Sequence, residues 1–262
     1  MSGILKELEM DYNKNKSHKG EGRLQSYWLY GIHSVQAAIN NKEREIKRIV
    51  VTKPVFEKFI NEFNKKNIVP DILTPQEINK ILPANSVHQG LAAEVKPLHA
   101  VYLEEYLASS AQNPKPLIVL DQVSDPHNIG AILRSAAAFD AGAVIMTKDN
   151  APGESAIMAK ASSGGIEIVP IITVTNLSQS LKILKENGYW CIGLDGKAKQ
   201  NIADAKLGIK TALIMGGEGR GLRRLTEENS DLLVKLPISP QMESLNVSNA
   251  AAIGLYVIKS FT

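Results

Sequence analysis

Hydrophobic positions along this 262-residue chain recur with two periods, and the switches between them mark out the elements. GIHSVQAAIN (31–40) places its apolar residues at helical spacing. IKRIVVT (46–52) is rich in β-branched residues and reads as a strand. PVFEKFINEFNKK (54–66) is an amphipathic helix opened by Pro54, a residue favoured at the first helical position. IVPDIL (68–73) and GLAAEV (90–95) read as strands, with TPQEINKIL (74–82) a short helix between them. These segments predict a small α/β domain over residues 27–96. Residues 97–116, bracketed by Pro97, Pro114 and Pro116, predict a linker with a short helix from Tyr102 to Ser109.

A second domain, 117–262, opens with LIVLD (117–121), an apolar run that reads as a buried strand. Helix and strand patterns then alternate. AILRSAAAFD is a helix, AVIMT a strand, Ser155 to Ser162 a helix, IEIVPI a strand and LSQSLKILKEN a helix. YWCIGLD, TALIM and DLLVKLPI are strands, and NVSNAAAIGLYVIKS closes the chain as a helix. Apolar strands separated by helices predict a mostly parallel sheet covered on both faces. Residues 1–26 are polar and predict a mobile tail, with Lys14, Lys16, Lys19 and Arg23 able to touch RNA phosphates.

Composition adds bounds. Hydrophobic residues make up 44% and charged residues 22%, ordinary for a soluble globular protein. No run approaches the ~18 apolar residues of a membrane span, and the N-terminus lacks the apolar core of a secretory signal. The expected location is cytoplasmic. The single cysteine, Cys191, lies in a predicted strand and reads as a buried, inert thiol. The net charge is only +3, but it is unevenly spread: the first hundred residues carry 15 basic and 11 acidic side chains, the rest 15 and 16. That points to a polyanionic partner held by the N-terminal part. Lys42, Arg44, Lys47 and Arg48 are the phosphate-facing group expected there, against the plainer reading of a solvated charged face. No His/Cys cluster calls for a metal.

The densest candidate chemistry is MGGEGRGL, with Gly216, Gly217, Gly219 and Gly221 following a strand. A phosphate-binding Walker loop ends in Gly-Lys-Ser/Thr, and neither GKS nor GKT occurs. A dinucleotide fingerprint belongs in the first βα turn, whereas these glycines come late. A tight turn remains open. Two other polar, small-residue segments sit near predicted strand ends: DQVSDPHNIGAILRSAAAFDAG (121–142) and LPISPQMESLNVSNAAAIG (236–254). In the first, Asn128 could cap a helix. Arg134 stands among Ile132, Leu133 and three alanines, so its permanent charge calls for an anionic partner. In the second, Ser244, Asn246, Ser248 and Asn249 exceed what one helix N-terminus needs.

These three blocks, in this order, resemble the signature motifs of the SpoU (TrmH) family of RNA ribose 2′-O-methyltransferases. YGIHSVQAAI and HQGLAAEV are similar to the substrate-binding domain of its RlmB subgroup. The resemblance covers about Tyr27 to Thr262 and implies a SPOUT-type α/β knot, in which the C-terminal segment forms a deep trefoil knot. It implies S-adenosyl-L-methionine as cofactor, held by Gly216, Gly217, Glu218, Leu236, Ile238, Ser244 and Leu245. The family motifs carry the catalytic set onto Asn128, Arg134, Glu218, Ser244 and Asn246, with Arg134 also holding the RNA phosphate. A homodimer is implied, with 23S ribosomal RNA as partner and a guanosine ribose in its peptidyl-transferase loop as target. His33 and His127 are expected to serve structure or RNA contact. A transfer-RNA or other rRNA site, or a non-catalytic ribosome-assembly RNA binder, are the competing readings. One departure from relatives is Asn249 after the SLNVS run, and PQME (240–243) ahead of it looks specific to this chain.

Overall fold

The computed structural model describes residues 26–217, 219 and 221–261. The mobile tail expected at 1–26 therefore lies outside the described residues except for Ser26, and so does Glu218.

Two sheets organise the chain. The first has strand order β1-β4-β2-β3, made of β1 (Tyr27–Tyr30), β2 (Ile46–Val51), β3 (Asp71–Ile72) and β4 (Leu91–Val95). β4 pairs antiparallel with β1 and β2, while the two-residue β3 lies parallel to β2. Helices α1 (Ile32–Asn40), α2 (Lys53–Lys65) and α3 (Pro75–Ile81) connect these strands. α3 starts with a capping box: Thr74 accepts from the Glu77 amide, and the Glu77 carboxylate accepts from the Thr74 amide.

The second sheet has seven strands in the order β7-β6-β5-β10-β8-β11-β9. All its pairings are parallel. They are β5 (Leu117–Asp121), β6 (Ala143–Thr147), β7 (Ile171–Val174), β8 (Trp190–Leu194), β9 (Gln200–Asn201), β10 (Thr211–Gly216) and β11 (Leu232–Lys235). Helices α4 (Leu103–Ser110), α5 (Pro126–Ala138), α6 (Ala156–Ser162), α7 (Leu177–Glu186), α8 (Arg224–Glu228) and α9 (Val247–Ser260) complete the chain.

Side chains alternate between the faces of this sheet, as the pleat requires. Ile118, Leu120, Val144, Met146, Leu213 and Met215 join one apolar cluster with residues of α5, α6 and α9. Leu117, Val119, Ala143, Ile145, Ala212 and Ile214 join another with α4 and α7. The stretch expected as a linker thus helps cover a face: Leu103 and Leu107 of α4 are buried in that second cluster. The first cluster also runs on into the small sheet through Leu29, Val35, Ala38, Leu91 and Val95, so the two sheets share one core. The strand expected at IEIVPI begins later, at Ile171. Ser163 and Gly164 both take left-handed backbone angles and reverse the chain, and Gly165–Glu167 forms a single 3-10 turn instead. Cys191 is fully buried, and burial pushes its thiol up to about 12. It is inert, as its strand position suggests.

Arg44 corrects an expectation. It does not face phosphate: its side chain is fully buried between the two sheets. Nη1 donates to Glu154 Oε2 at 2.8 Å and to the Lys96 carbonyl at 2.7 Å. Nε donates to both Glu167 oxygens at 3.1 Å. Nη2 lies 2.8 Å from Glu167 Oε1 but off hydrogen-bond alignment. The Tyr27 hydroxyl and the Leu98 amide complete Glu154, and the Asn41 amide completes Glu167. Burial works against the guanidinium charge, but the Glu167 hydrogen bond and the two carboxylates outweigh it and hold Arg44 protonated. Burial and the Glu154 carboxylate push the Tyr27 phenol up, so it stays a donor.

Removing one partner from such a cluster leaves buried charge uncompensated. Arg44→Ala should destabilise the protein by about 3–5 kcal/mol, read as a lowered urea midpoint. A loss under about 1 kcal/mol, the scale of an exposed ion pair, would mean that the cluster is solvated in solution.

Candidate active site at the carboxyl edge of the sheet

The sheet register explains how three segments spread over more than a hundred residues of chain meet. Asp121 of β5 pairs with Gly216 of β10, Met215 of β10 with Leu194 of β8, and Leu194 with Val234 of β11. These strands run parallel, so the loops after β5, β10 and β11 all leave the sheet at one edge. Three strand spacings separate β5 from β11, roughly 14 Å. Ligand sites of open parallel sheets lie at this edge.

One hydrogen bond joins the first and last loops. Asn246 Nδ2 donates to Asn128 Oδ1 at 2.9 Å. The other half of the Asn246 amide is also used: Oδ1 accepts from the Ser248 amide at 2.9 Å and from the Ser248 hydroxyl at 2.6 Å. Asn246 therefore caps α9 and holds α5 with the same side chain. The capping role considered for Asn128 belongs instead to Asp125, which accepts from the His127 amide at 3.0 Å. Asn128 is free of that duty and points its carbonyl oxygen at Asn246.

Arg134 lies six residues further along α5, roughly 9 Å in rise. It is exposed, and its side chain makes no hydrogen bond or ion pair with a described residue. Its neighbours Ile132 and Leu133 are fully buried, so the helix turns the guanidinium outward and water solvates it. Its apolar sequence neighbours therefore do not force a protein partner on it. Its charge is available to a ligand.

The glycine loop owes its first residues to its own closure. A Cβ on Gly216 would sit 2.2 Å from the Gly221 carbonyl carbon, and one on Gly217 would sit 2.7 Å from the Gln122 carbonyl oxygen. The Gly221 amide donates to the Gly217 carbonyl at 3.2 Å. Gly219 and Gly221 have positive φ and open space around them. Just beyond, the fully buried Asp121 carboxylate accepts from the Arg223 amide at 3.0 Å and from Arg223 Nε at 2.6 Å. That pair pins the end of the loop to the end of β5. The sequence signal was an aspartate closing an apolar strand, and its partner 102 residues away was not legible.

The third loop leaves apolar groups uncovered. Leu236 is half-buried, while Ile238 and Leu245 are exposed at 37% and 36% beside exposed Ser244. With the glycine loop at the same sheet edge, this loop offers apolar surface and backbone polar groups, which suits an uncharged heterocycle with a hydroxylated sugar. Of the basic group expected in the small domain, Lys42 and Lys47 are exposed, and exposed Arg48 pairs with Asp71 at 2.7 Å. A cleft of about 450 Å³, lined by Thr147, Asp149, Asn176, Arg223, Arg224 and Thr226 among others, opens beside the same edge. It was not anticipated from the sequence. Among the described residues no group of three or more His, Cys, Asp or Glu side chains is placed to hold a metal, and no helix is long and apolar enough to cross a membrane.

Comparison with known proteins gives this arrangement a context. Residues 115–256 match the SpoU rRNA Methylase family, and residues 28–101 match a family described as RNA 2′-O ribose methyltransferase substrate binding. A 23S rRNA (guanosine-2′-O-)-methyltransferase RlmB from Haemophilus influenzae is 40% identical over 238 residues, 88% of this chain and 96% of that protein. Its counterpart from Pseudomonas putida is 37% identical over 235 residues, covering 87% and 94%. The SpoU methyltransferase AviRb from Streptomyces viridochromogenes superposes with a TM-score of 0.74 at 19% identity, over 90% of this chain and 89% of that one. An AdoMet-bound rRNA methyltransferase from Sinorhizobium meliloti gives 0.73 at 18%, over 99% and 95%.

The Asn246 bond is testable by itself. Asn246→Ala should cost about 1 kcal/mol through the lost cap, and Asn246→Asp, which keeps the cap but cannot donate to Asn128, should recover most of it. Thermal unfolding of both variants separates the two roles. Equal loss in both would assign the effect to the Asn128 contact.

Proposed function

The chain belongs to the SpoU rRNA Methylase family, and from that premise we propose that it methylates the ribose 2′-hydroxyl of a guanosine in 23S rRNA. The observation that carries this reading is the convergence of three loops at one sheet edge, tied by Asn246 and Asn128. The names of the 36–40% identical relatives support the nucleotide and the RNA. The peptidyl-transferase loop implied by the sequence resemblance is the target region. A ribosomal RNA substrate puts the enzyme in the cytoplasm.

S-adenosylmethionine, when bound, supplies an electrophilic methyl group on a sulfonium. Gly216, Gly217, Leu236, Ile238, Ser244 and Leu245 are the residues assigned to hold it, and the uncovered Ile238 and Leu245 side chains support that assignment. Relatives of the same fold are described with AdoMet bound. Arg134 is assigned to the phosphate beside the target ribose, for which its outward, unengaged guanidinium is suited. It orients and does not act as base, since an arginine holds its proton far above neutrality. Asn128 and Asn246 keep the first and third loops in register, and with Ser244 they are assigned to the ribose side. Proton removal from the hydroxyl falls to the RNA phosphate or to Glu218. In the small domain, Lys42, Lys47 and Arg48 are assigned to the RNA backbone. Arg223 and Arg224, in the cleft beside the loop, suit the same polyanion.

A homodimer is part of the proposal. Ile253 and Tyr256 of α9 are 41% and 62% exposed, with Phe261 at 53% just after the helix. Tyr256 meets Phe139, which follows α5, edge to face at 6.1 Å. Charged Lys115, Asp140 and Lys259 lie beside this patch. An aromatic centre with a charged rim is the composition of a protein interface.

Two outcomes are expected. Arg134→Ala should lower methyl transfer to a 23S rRNA transcript by at least about a hundredfold and leave S-adenosylmethionine affinity by calorimetry unchanged. Full activity would remove Arg134 from the mechanism, and loss of ribose methylation from transfer RNA rather than 23S rRNA in a deletion strain would move the substrate. Tyr256→Asp should shift sedimentation from dimer to monomer by at least about tenfold in dissociation constant, and an unchanged dimer would place the interface elsewhere.

A further inference from the structure

We propose that the small domain holds a pocket for one unpaired RNA base, a carbonyl-bearing base read through uncharged hydrogen-bonding groups, separate from the methyl-transfer site. The proposal rests on the RNA-substrate reading above and goes beyond it by naming a recognition site.

The pocket measures about 490 Å³ and is lined only by residues between 52 and 90. Its lining includes Thr52, Asn79, Ser86, Val87, His88 and Gln89. That volume falls within the range of sites for small organic ligands, ~300–1,000 Å³. None of the lining side chains is Lys or Arg, and the nearby Lys160 ammonium is held by the Val87 carbonyl, so the lining itself offers a phosphate no counter-charge. None is acidic, so a cation finds none either. What remains is an open depression in which apolar surface from Pro75 and Val87 lies beside neutral donors and acceptors, which suits the face and edge of a nucleobase. RNA sequence is read mostly on splayed, unpaired bases, because the A-form major groove is too deep and narrow for side chains.

The hydrogen-bonding state of the lining is specified by its partners. His88 Nδ1 accepts from the Gly90 amide at 3.0 Å, so the ring proton is on Nε2 and that atom is a donor. Partial burial lowers the affinity of this imidazole for a second proton, which keeps it neutral. Gln89 Oε1 accepts from the Ile32 amide at 3.1 Å, which leaves its NH₂ as a donor. The Ser86 hydroxyl donates to the Pro83 carbonyl at 2.7 Å, so it can only accept from a ligand. Asn79 is exposed, and its side chain makes no hydrogen bond with a described residue. Its amide can therefore both donate and accept. Two donors, His88 and Gln89, with one acceptor, Ser86, match the two carbonyls and one ring N–H of uracil, whereas adenine has no carbonyl to take both donors. Val87, 67% exposed, gives an apolar surface at the rim.

The loop that forms this pocket is preformed and tied to the catalytic half. Asn85, Gln89 and Gly90 all have positive φ, so the backbone folds back sharply there. Two of the three are not glycine, and such strained residues persist where the surroundings hold them. Lys160 of α6 donates to the Val87 carbonyl at 3.0 Å and lies over the Tyr30 ring at 5.7 Å. α6 in turn packs so closely on α5 that a Cβ on Gly130 would lie 2.5 Å from the Met158 carbonyl oxygen. A base seated in the pocket is thereby held at a fixed place relative to Asn128 and Arg134, and it serves to position the RNA without touching the reacting atoms.

Fluorescence anisotropy of the full chain with roughly eight-nucleotide oligouridylate and oligoadenylate tests this. The unaltered protein is expected to bind oligouridylate more tightly. Asn79→Ala, which breaks no contact in the fold, and His88→Ala should each weaken oligouridylate binding by about tenfold and leave oligoadenylate binding unchanged. With a 23S rRNA transcript the same variants should raise KM by a similar factor and leave kcat unchanged. Equal binding of the two oligonucleotides, no binding of either, or unchanged oligouridylate affinity in both variants would overturn the pocket. Base-selective binding that Asn79→Ala removes, in a chain that methylates no 23S rRNA, would uphold the pocket and overturn the assigned reaction instead.

Discussion

The position of β10 governs this molecule. The strand lies between β5 and β8, although β6 and β7 follow β5 in the chain and form the sheet's other flank. Parallel pairing on both sides leaves no freedom in where its carboxyl end emerges: Gly216 must lie beside Asp121, one strand away from Leu194. The glycine loop is therefore delivered between the loop that starts α5 and the loop that leads to α9. Nothing local to MGGEGRGL could achieve that. The buried Asp121 carboxylate then fixes the loop's far end by binding Arg223 through both backbone and side chain. A charged group fully removed from water must find such partners, and here the partners are the loop itself.

A second constraint acts between the sheets. Burying one guanidinium with two carboxylates stabilises little in itself, because desolvation offsets most of the Coulomb gain. Its effect is on geometry. Arg44 can satisfy Glu154, Glu167 and the Lys96 carbonyl together in only one relative placement of the elements that carry them. Ser34 reinforces that placement by donating to the Ala159 carbonyl at 3.2 Å. With the apolar core continuous across the junction, the small sheet is a fixed extension of the catalytic half. An enzyme that must find one ribose in a large RNA gains from this, since contacts made by the small sheet then restrict where the ribose can lie.

Much of this architecture was legible in the chain because it follows from local periodicity. Runs such as LIVLD and AVIMT are apolar on both faces, and both faces are covered. PVFEKFINEFNKK and TPQEINKIL became helices with boundaries within a residue or so of those expected. The three polar blocks stood out in the sequence, and the strand register brings their loops to one edge. What escaped depended on distant partners. Arg44 sits in KEREIKR, a run that reads as a solvated basic face, and only Glu154 and Glu167, 110 and 123 residues on, explain its burial. α4 looked like a linker because its two inward leucines have meaning only against β5 to β7. IEIVPI has strand composition, but Ser163 and Gly164 turn the chain before a strand can start.

The glycine loop shows how one residue type can answer two different demands. A glycine-rich turn invites the interpretation that its backbone must lie close to a ligand. For Gly216 and Gly217 the close approach is to the protein, because Gly221 and the Gln122 carbonyl occupy the space a Cβ would need. They are required for the loop to close, whatever it binds. Gly219 and Gly221 meet no such obstacle, and their need for glycine lies in positive φ alone. So a substitution at Gly216 perturbs the loop before it perturbs any ligand, and loss of binding there would say little about contact. The uncovered Ile238 and Leu245 side chains discriminate better. They lie on the separate loop after β11, and shortening them alters a wall of the proposed site without disturbing the closure that the glycines maintain.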